Sequence, residues 1–149
     1  MPNGYLQLNT NHGLTSNASR YITAGATTNT LTNYVQFNDL NNEHISYCFY
    51  SVAGHSKIGT YTISSSSDRV ITSLGFSPSW VMVKRTDSSG SWVITDTSRL
   101  ITKEIYADLN NAENTDSNGV QSFDSDGFTV GTGSWLGASG GTYLYIAFK

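Results

Sequence analysis

The chain has 149 residues, of which 38% are hydrophobic and 13% are charged, and its net charge is −3. The charged fraction is about half that of an ordinary soluble domain, and Ser, Thr, Asn and Gly supply 66 of the 149 positions. Scarce helix formers argue against a helical bundle, and eighteen aromatic side chains argue against disorder. The eight Lys and Arg residues are spread along the chain, which argues against a nucleic-acid partner.

The sequence also predicts no targeting signal and no structure held together by cysteines. No apolar run approaches the roughly 20 residues that a membrane span requires, so we expect no membrane insertion. The N-terminus lacks the basic and apolar regions of a secretory signal peptide. Cys48 is the only cysteine, so neither an internal disulfide framework nor a cysteine-rich zinc site can form.

The first 42 residues differ from the rest of the chain. Arg20 and Asp39 are their only charged side chains, while Asn and Thr are dense. Residues 5–8 and 34–37 have short strand patterns. We therefore predict that residues 1–42 form an extended N-terminal arm or edge strands that serve as an assembly contact, and that residues 43–149 form a β-sandwich domain.

Strand signals recur every 8 to 12 residues after position 43. The first, at residues 45–52, is aromatic and apolar, which predicts a buried strand with Cys48 packed inside. A turn at residues 87–90 predicts a β-hairpin over residues 79–96. We expect Trp80, Trp92 and the phenylalanines Phe76, Phe128 and Phe148 in the core. The remaining predicted strands cover residues 57–63, 69–74, 104–109, 120–123, 128–130 and 143–148.

These strands, with polar turns between them and no sustained helical period, predict an all-β, antiparallel sandwich or barrel. Residues 44–49 also resemble residues 143–148, at an offset of 99 positions. One interpretation is that the chain carries the closing strand of one repeat followed by a complete repeat of about 100 residues. Chance similarity between two aromatic strands is the alternative.

Acidic residues are the first candidates for chemistry. Asp124 and Asp126 lie two apart, so in an extended strand both carboxylates share a face, as a retaining glycosidase requires. The alternatives are a surface calcium ion held by Asp116, Asp124 or Asp126, or a solvated turn. His12, His44 and His55 have no metal-ligand spacing, and the Glu-x-Asp-x-x-Glu pattern of many sandwich-fold glycosidases is absent. We find no catalytic constellation and expect no enzyme and no organic cofactor.

Glycan binding is the remaining class of chemistry. An exposed Trp beside Asn, Asp and Gly residues suits a sugar-binding loop, because the ring stacks on a sugar while polar groups bond its hydroxyls. Trp135 lies in such a loop and is either a core plug or a binding platform. Asn110, Asn111 and Asp116 are its candidate partners.

A family resemblance covers residues 44–149. Its segments are Lys57-Ile-Gly-Thr-Tyr, Gly75-Phe-Ser-Pro-Ser-Trp-Val-Met-Val-Lys-Arg, Gly90-Ser-Trp-Val-Ile-Thr-Asp-Thr-Ser-Arg99, Ser122-Phe-Asp-Ser-Asp-Gly-Phe-Thr-Val-Gly and Ala138-Ser-Gly-Gly-Thr-Tyr-Leu-Tyr-Ile-Ala-Phe. Together they resemble a repeat domain of virion proteins in tailed bacteriophages, many of them marine. Those repeats look like concanavalin A-like, or laminin G-like, jelly-roll sandwiches.

The resemblance implies a non-enzymatic virion structural protein: a head-decoration, collar or tail-fibre component on the virion surface, assembled in the host cytoplasm. Its implied partners are other virion proteins and copies of itself, as a homo-oligomer that by analogy is a trimer. A lectin-like module for host or environmental glycans is the alternative. Within the shared motifs, we expect Asp96 and Arg99 to form a buried pair that orders the loop beyond them.

Overall fold

The computed structural model of the protein describes residues 4–16, 22–24, 29–31, 47–64, 67–132 and 135–149. The chain divides into two compact units, one of residues 1–6 and 14–49 and one of residues 7–13 and 50–149. In the first unit, β1 (Gly4–Tyr5) pairs with β2 (Thr15–Ser16), and β3 (Ile22–Ala24) pairs with β4 (Asn29–Leu31); both pairs are antiparallel. The predicted strand at residues 34–37 and the predicted boundary at residues 42 and 43 lie outside the described residues.

The second unit contains two antiparallel sheets. The larger has six strands in the order β10-β9-β8-β7-β13-β5, and the smaller has three in the order β11-β12-β6. The strands are β5 (Ser56–Thr62), β6 (Arg69–Ile71), β7 (Trp80–Arg85), β8 (Trp92–Asp96), β9 (Lys103–Tyr106), β10 (Asn114–Thr115), β11 (Val120–Asp124), β12 (Gly127–Val130) and β13 (Thr142–Phe148).

The predicted hairpin over residues 79–96 is confirmed, with β7 and β8 paired from Trp80–Asp96 to Lys84–Trp92. Its turn is fixed by Asp87, whose carboxylate accepts two hydrogen bonds from the Arg85 guanidinium, at 3.1 and 3.0 Å. The same carboxylate accepts the backbone N–H of Thr142 at 2.9 Å. Asp87 therefore ties the hairpin turn to the start of β13.

A β-bulge changes the alternation of β11. The register shifts between Val120 and Ser122, so one additional residue interrupts the alternation. Val120 and Phe123 are three positions apart, yet both belong to the core side, where Val120 pairs with Val130 and Phe123 pairs with Phe128. The bulge allows this short strand to place two apolar side chains against the larger sheet.

The core lies between the two sheets. From the smaller sheet, Phe128 is fully buried and meets Tyr145 of β13 edge to face, with ring centroids 5.4 Å apart. Tyr145 lies over Gly59, where an added Cβ would be 2.5 Å from the Tyr145 hydroxyl oxygen, so only glycine fits beneath that ring. The all-β antiparallel prediction is confirmed, as are buried positions for Phe76, Trp92 and Phe128.

Residues 47–52 correct one prediction. They form no strand, apart from a single bridge between Val52 and Ser56. The prediction of a buried strand with an internal Cys48 is wrong for this segment, because Cys48 is exposed and Tyr47, Phe49 and Tyr50 are 79%, 61% and 77% exposed. An apolar run indicates strand propensity but not the presence of a covering layer.

In the part of the chain that the structure describes, no helix is long and apolar enough to cross a membrane.

Candidate functional site

The outward face of the six-stranded sheet carries an unbroken row of apolar side chains. Residues paired across neighbouring strands project on the same side of a sheet. The pairs Ile58–Ile146, Ile146–Met82, Met82–Ile94 and Ile94–Ile105 therefore join one residue from each of five strands. All five side chains, which we call the outer row, are partly exposed.

Aromatic and aliphatic side chains flank the outer row. Trp80 and Phe148 pair across β7 and β13 on the same outward face, with ring centroids 5.5 Å apart. Both are partly exposed, so their predicted core positions are wrong. Leu144 flanks the row on its other side. Among the described residues, the smaller sheet covers the inward face of these strands.

The outward face of the smaller sheet is different. Its polar positions include Ser122, Asp124 and Thr129, with the two hydroxyls donating to the Asp124 carboxylate at 2.7 and 2.9 Å. Val70 is its exposed apolar side chain, at 52%. The sandwich therefore presents one polar and one apolar outward face.

A loop covers one end of the apolar face. Residues 7–13 lie over Trp92, whose indole N–H donates to the Gln7 carbonyl at 2.8 Å. They also lie over Lys84, which is fully buried and donates to the carbonyls of Arg85, at 2.6 Å, and Asn11, at 3.4 Å. Burial lowers the pKa of Lys84, and the negative charges of Asp108 and Asp87 oppose that shift. The Lys84 ammonium group is thus withdrawn from the surface of this face.

Charged side chains at the margin of the face are paired. Arg99 contacts Asp96 at 3.1 Å and Glu113 at 3.3 Å, and Glu113 also lies 3.7 Å from Lys103. The predicted pair of Asp96 and Arg99 is therefore present. Their side chains are 15% and 31% exposed, so the pair is partly rather than fully buried.

Trp135 is exposed, at 55%, so it is not a core plug, and its role as a binding platform stays a prediction. The adjacent Leu136 is buried, and its carbonyl accepts the Tyr61 hydroxyl at 3.0 Å, which anchors the loop. Of the other glycan candidates, Asn110 and Asn111 follow β9 and are exposed, and Asp116 follows β10. Among the described residues, no hydrogen bond or ring contact joins any of these three to Trp135.

Asp116, Asp124 and Asp126 have partners within the fold. Asp116 accepts the N–H of Asn118 at 2.8 Å. Asp126 anchors the loop before β7, with carboxylate oxygens that accept the N–H groups of Ser73, at 3.1 Å, and Gly75, at 2.6 Å. Ser73 and Gly75 both have positive φ angles, of 67° and 81°. No group of three or more His, Cys, Asp or Glu residues within the described ranges is placed to hold a metal ion.

One buried acid was missed in the sequence. Glu104 is 2% exposed, and its Oε1 accepts the Tyr106 hydroxyl at 2.5 Å and the Asn114 amide at 3.1 Å. Burial and the neighbouring Glu104 raise the pKa of Tyr106. The only available signal was the alternation Lys103-Glu104-Ile105-Tyr106, which places Glu104 and Tyr106 on the same face of β9.

Comparison with known proteins identifies the family. Residues 1–149 match the family described as "Domain of unknown function (DUF7483)". The chain belongs to this family. No curated protein and no solved structure matches it.

The DUF7483 match includes residues 1–43, which the segments carrying the phage-repeat resemblance do not reach. The description of DUF7483 names no activity.

Proposed function

We propose that the chain is a non-enzymatic structural component of a bacteriophage virion, acting in assembly and surface display as a head-decoration, collar or tail-fibre protein. The observation that carries this proposal is the outer row. An apolar surface across five strands, on a chain with few charges, suits permanent contact with another protein surface. Residues 44–149 resemble repeats of phage virion proteins, and this resemblance implies that the contacted surface belongs to a virion. It also implies a jelly-roll topology of the concanavalin A type.

The polar chemistry of the described residues supports a structural role. Asp87 fixes a turn, Asp126 anchors a loop, and Glu104 is held by a phenol and an amide. Each carboxylate thus contributes to holding two segments of the fold together. Catalytic carboxylates instead face a cleft in which a substrate can reach them.

Localisation in particles tests the proposal. Virions would be purified by density gradient from infected host cells, and the chain would be measured by mass spectrometry and located by electron cryomicroscopy. We expect a fixed number of copies per particle and regular density on the particle surface. Accumulation of the chain in infected cells, with none in gradient-purified particles, would exclude a virion role.

Glycan binding is a second candidate, favoured by the 55% exposure of Trp135 on a loop anchored by Leu136. A glycan array with the purified chain tests it, with Trp135→Ala as the loss-of-binding variant. Val70→Ala is the matched control, because Val70 is also an exposed apolar side chain but belongs to the other sheet. Binding that persists in Trp135→Ala would exclude this loop as the platform.

A further inference from the structure

We propose that Asn118 is a site of spontaneous modification, at which the side-chain amide is lost as ammonia after attack by the backbone nitrogen of Gly119. Asn118 and Gly119 lie in the turn at residues 116–119, between β10 and β11. The inference goes beyond the proposed function, because it concerns the covalent stability of the chain and does not depend on where the chain acts.

The reaction needs only water from the solvent. The Gly119 nitrogen bonds to Cγ of Asn118, the bond from Cγ to Nδ2 breaks, and ammonia leaves with the proton that the Gly119 nitrogen loses. The product is a succinimide ring. Water then adds to one of the two ring carbonyls and opens the ring, which gives aspartate or isoaspartate at position 118. No electrons are gained or lost, and the net change is an amide exchanged for a carboxylate.

Gly119 supplies a backbone nitrogen that no partner holds. Glycine has no side chain to obstruct its own nitrogen, and its backbone adopts more conformations than that of any other residue. In the part of the chain that the structure describes, the Gly119 N–H donates no hydrogen bond, whereas its carbonyl accepts the N–H of Gly131 at 2.9 Å. The nitrogen is therefore not committed to another acceptor.

Asn118 supplies an amide that is equally unpaired. Its side chain is exposed, and its amide makes no hydrogen bond with any residue of the described ranges. Its backbone N–H instead donates to the Asp116 carboxylate at 2.8 Å. This bond maintains the turn and leaves the Asn118 side chain able to rotate towards the nitrogen of Gly119.

The same chemistry is blocked at Asp126 and Gly127, which also form an acid–glycine pair. Both carboxylate oxygens of Asp126 accept backbone hydrogen bonds, from Ser73 at 3.1 Å and from Gly75 at 2.6 Å. Gly127 in turn packs directly against the carbonyl oxygen of Ile71. The Asp126 side chain therefore cannot turn towards the nitrogen that follows it.

Other asparagines near the turn lack one of the two requirements. The Asn114 amide donates to the Glu104 carboxylate at 3.1 Å, so it is held in place. Asn111 is exposed, but Ala112 follows it, and the Cβ of alanine obstructs the attacking nitrogen. Within the described residues, the structure thus distinguishes Asn118 from its neighbours.

Modification would change the contact between two loops. The product carries a carboxylate two positions from Asp116, and in isoaspartate the main chain is also longer by one carbon atom. That extra atom would lie immediately before Gly119, whose carbonyl holds Gly131 at the start of the loop that carries Trp135. A Cβ added at Gly131 would be 2.6 Å from the Asn118 carbonyl oxygen, so the two loops fit closely. Isoaspartate should therefore weaken the attachment of the Trp135 loop.

Peptide mapping of the folded full chain by mass spectrometry tests the inference. The chain would be incubated at neutral and at alkaline pH, well below its unfolding midpoint, and fragment masses would assign the modified residue. We expect conversion at least about tenfold faster at Asn118 than at Asn111, because only Asn118 precedes a glycine. The rate should rise with pH, because the attacking nitrogen must lose its proton. Asn118→Gln is the matched variant, since a longer amide closes the ring slowly, and it should stay unmodified.

Incubation in urea separates the effect of the turn from that of the Asn-Gly pair. We expect Asn118 to react at similar rates in the folded and the unfolded chain. An Asn118 that reacts in urea and stays intact in the folded chain would overturn the inference, because the turn would then protect it. Equal rates at Asn118 and Asn111 in the folded chain would also overturn it. None of these results bears on the presence of the chain in virions.

The structural consequence has its own measurement. Asn118→Asp adds the charge without lengthening the main chain, and the isoaspartate form can be separated from aged wild-type chain by ion exchange. We expect the unfolding midpoint to fall further in the isoaspartate form than in Asn118→Asp. Equal midpoints would contradict the predicted loss of the contact between Gly119 and Gly131.

Discussion

The indole nitrogen of Trp92 donates a 2.8 Å hydrogen bond to the carbonyl oxygen of Gln7, across 85 positions of the chain. This contact holds the 7–13 loop against the outward face of the six-stranded sheet. Asn11, in the same loop, accepts the N–H of Gly90 at 2.8 Å. The two bonds attach the loop to the end of the 87–90 turn and to the first residue of β8.

Trp92→Phe is expected to lower the free energy of unfolding by about 1–3 kcal/mol, because the Gln7 carbonyl would lose its donor and part of a buried ring would be removed. Chemical denaturation measures this loss. Hydrogen exchange at the Gly90 amide should also become faster as the loop loosens. Trp80→Phe is the control, since Trp80 is partly exposed, and it is expected to cost less than about 1 kcal/mol. Equal losses in the two variants would contradict a specific role for the Trp92 bond.

Asp87 makes the stability pH-dependent in the acid range. The Arg85 guanidinium, aided by the N–H of Thr142 and opposed by partial burial, lowers the pKa of Asp87 from its usual 3.8 to about 2. Because the folded pKa lies below the unfolded one, the contribution is present above about pH 4 and is lost as the pH falls towards 2. The side chain is 37% exposed, so solvent screening keeps the effect small.

Unfolding experiments on Asp87→Asn should show this dependence directly. The variant is expected to be less stable than the wild type at pH 6, with a gap that narrows between pH 4 and pH 2. Asp68→Asn, at an exposed loop position, serves as the control for removing one acidic charge. A gap of constant size across this pH range would show that the Asp87 carboxylate does not titrate as described.

Tyr106→Phe tests the buried Glu104 cluster. Removing the hydroxyl takes one donor from a carboxylate that is 2% exposed, and bonds to charged groups contribute about 1.5–3 kcal/mol each. We expect a loss of that size in the free energy of unfolding, measured in urea. Tyr50→Phe removes the same hydroxyl from a side chain that is 77% exposed and should change little. Equal stability of Tyr106→Phe and wild type would remove Glu104 from the interactions that hold β9 and β10 together.

The predicted calcium site at Asp124 and Asp126 is open to a direct test. Both carboxylates already accept hydrogen bonds within the fold, so we expect calcium at about 1 mM to leave the unfolding midpoint unchanged. Asp126→Ala should lower stability by about 1–2 kcal/mol, because the N–H groups of Ser73 and Gly75 lose their acceptor. A calcium-dependent rise in the midpoint that Asp126→Ala abolishes would support the predicted metal site and contradict this expectation.

Local patterns predicted most strands of the sandwich. The turn at residues 87–90 and the apolar alternation around it were sufficient for the β7–β8 hairpin. The outer row could not be predicted from the sequence, because it depends on the pairing of Ile58 with Ile146, which are 88 positions apart. No local sequence signal specifies that register. The same limit explains Trp80 and Phe148: an apolar strand residue reads as core whichever face it occupies.

The position of strand β13 determines when the six-stranded sheet can form during synthesis of the chain. It lies between β5 and β7 and pairs with both along its length, so the six-stranded sheet stays divided until residues 142–148 have left the ribosome. Until then β5 and β7 each have an unpaired edge, and an unpaired edge can form hydrogen bonds with a strand of another chain. Many copies made at once on neighbouring ribosomes would therefore be most prone to mispair before the synthesis of β13, and a lower expression level or a chaperone that covers β7 should raise the yield of folded chain.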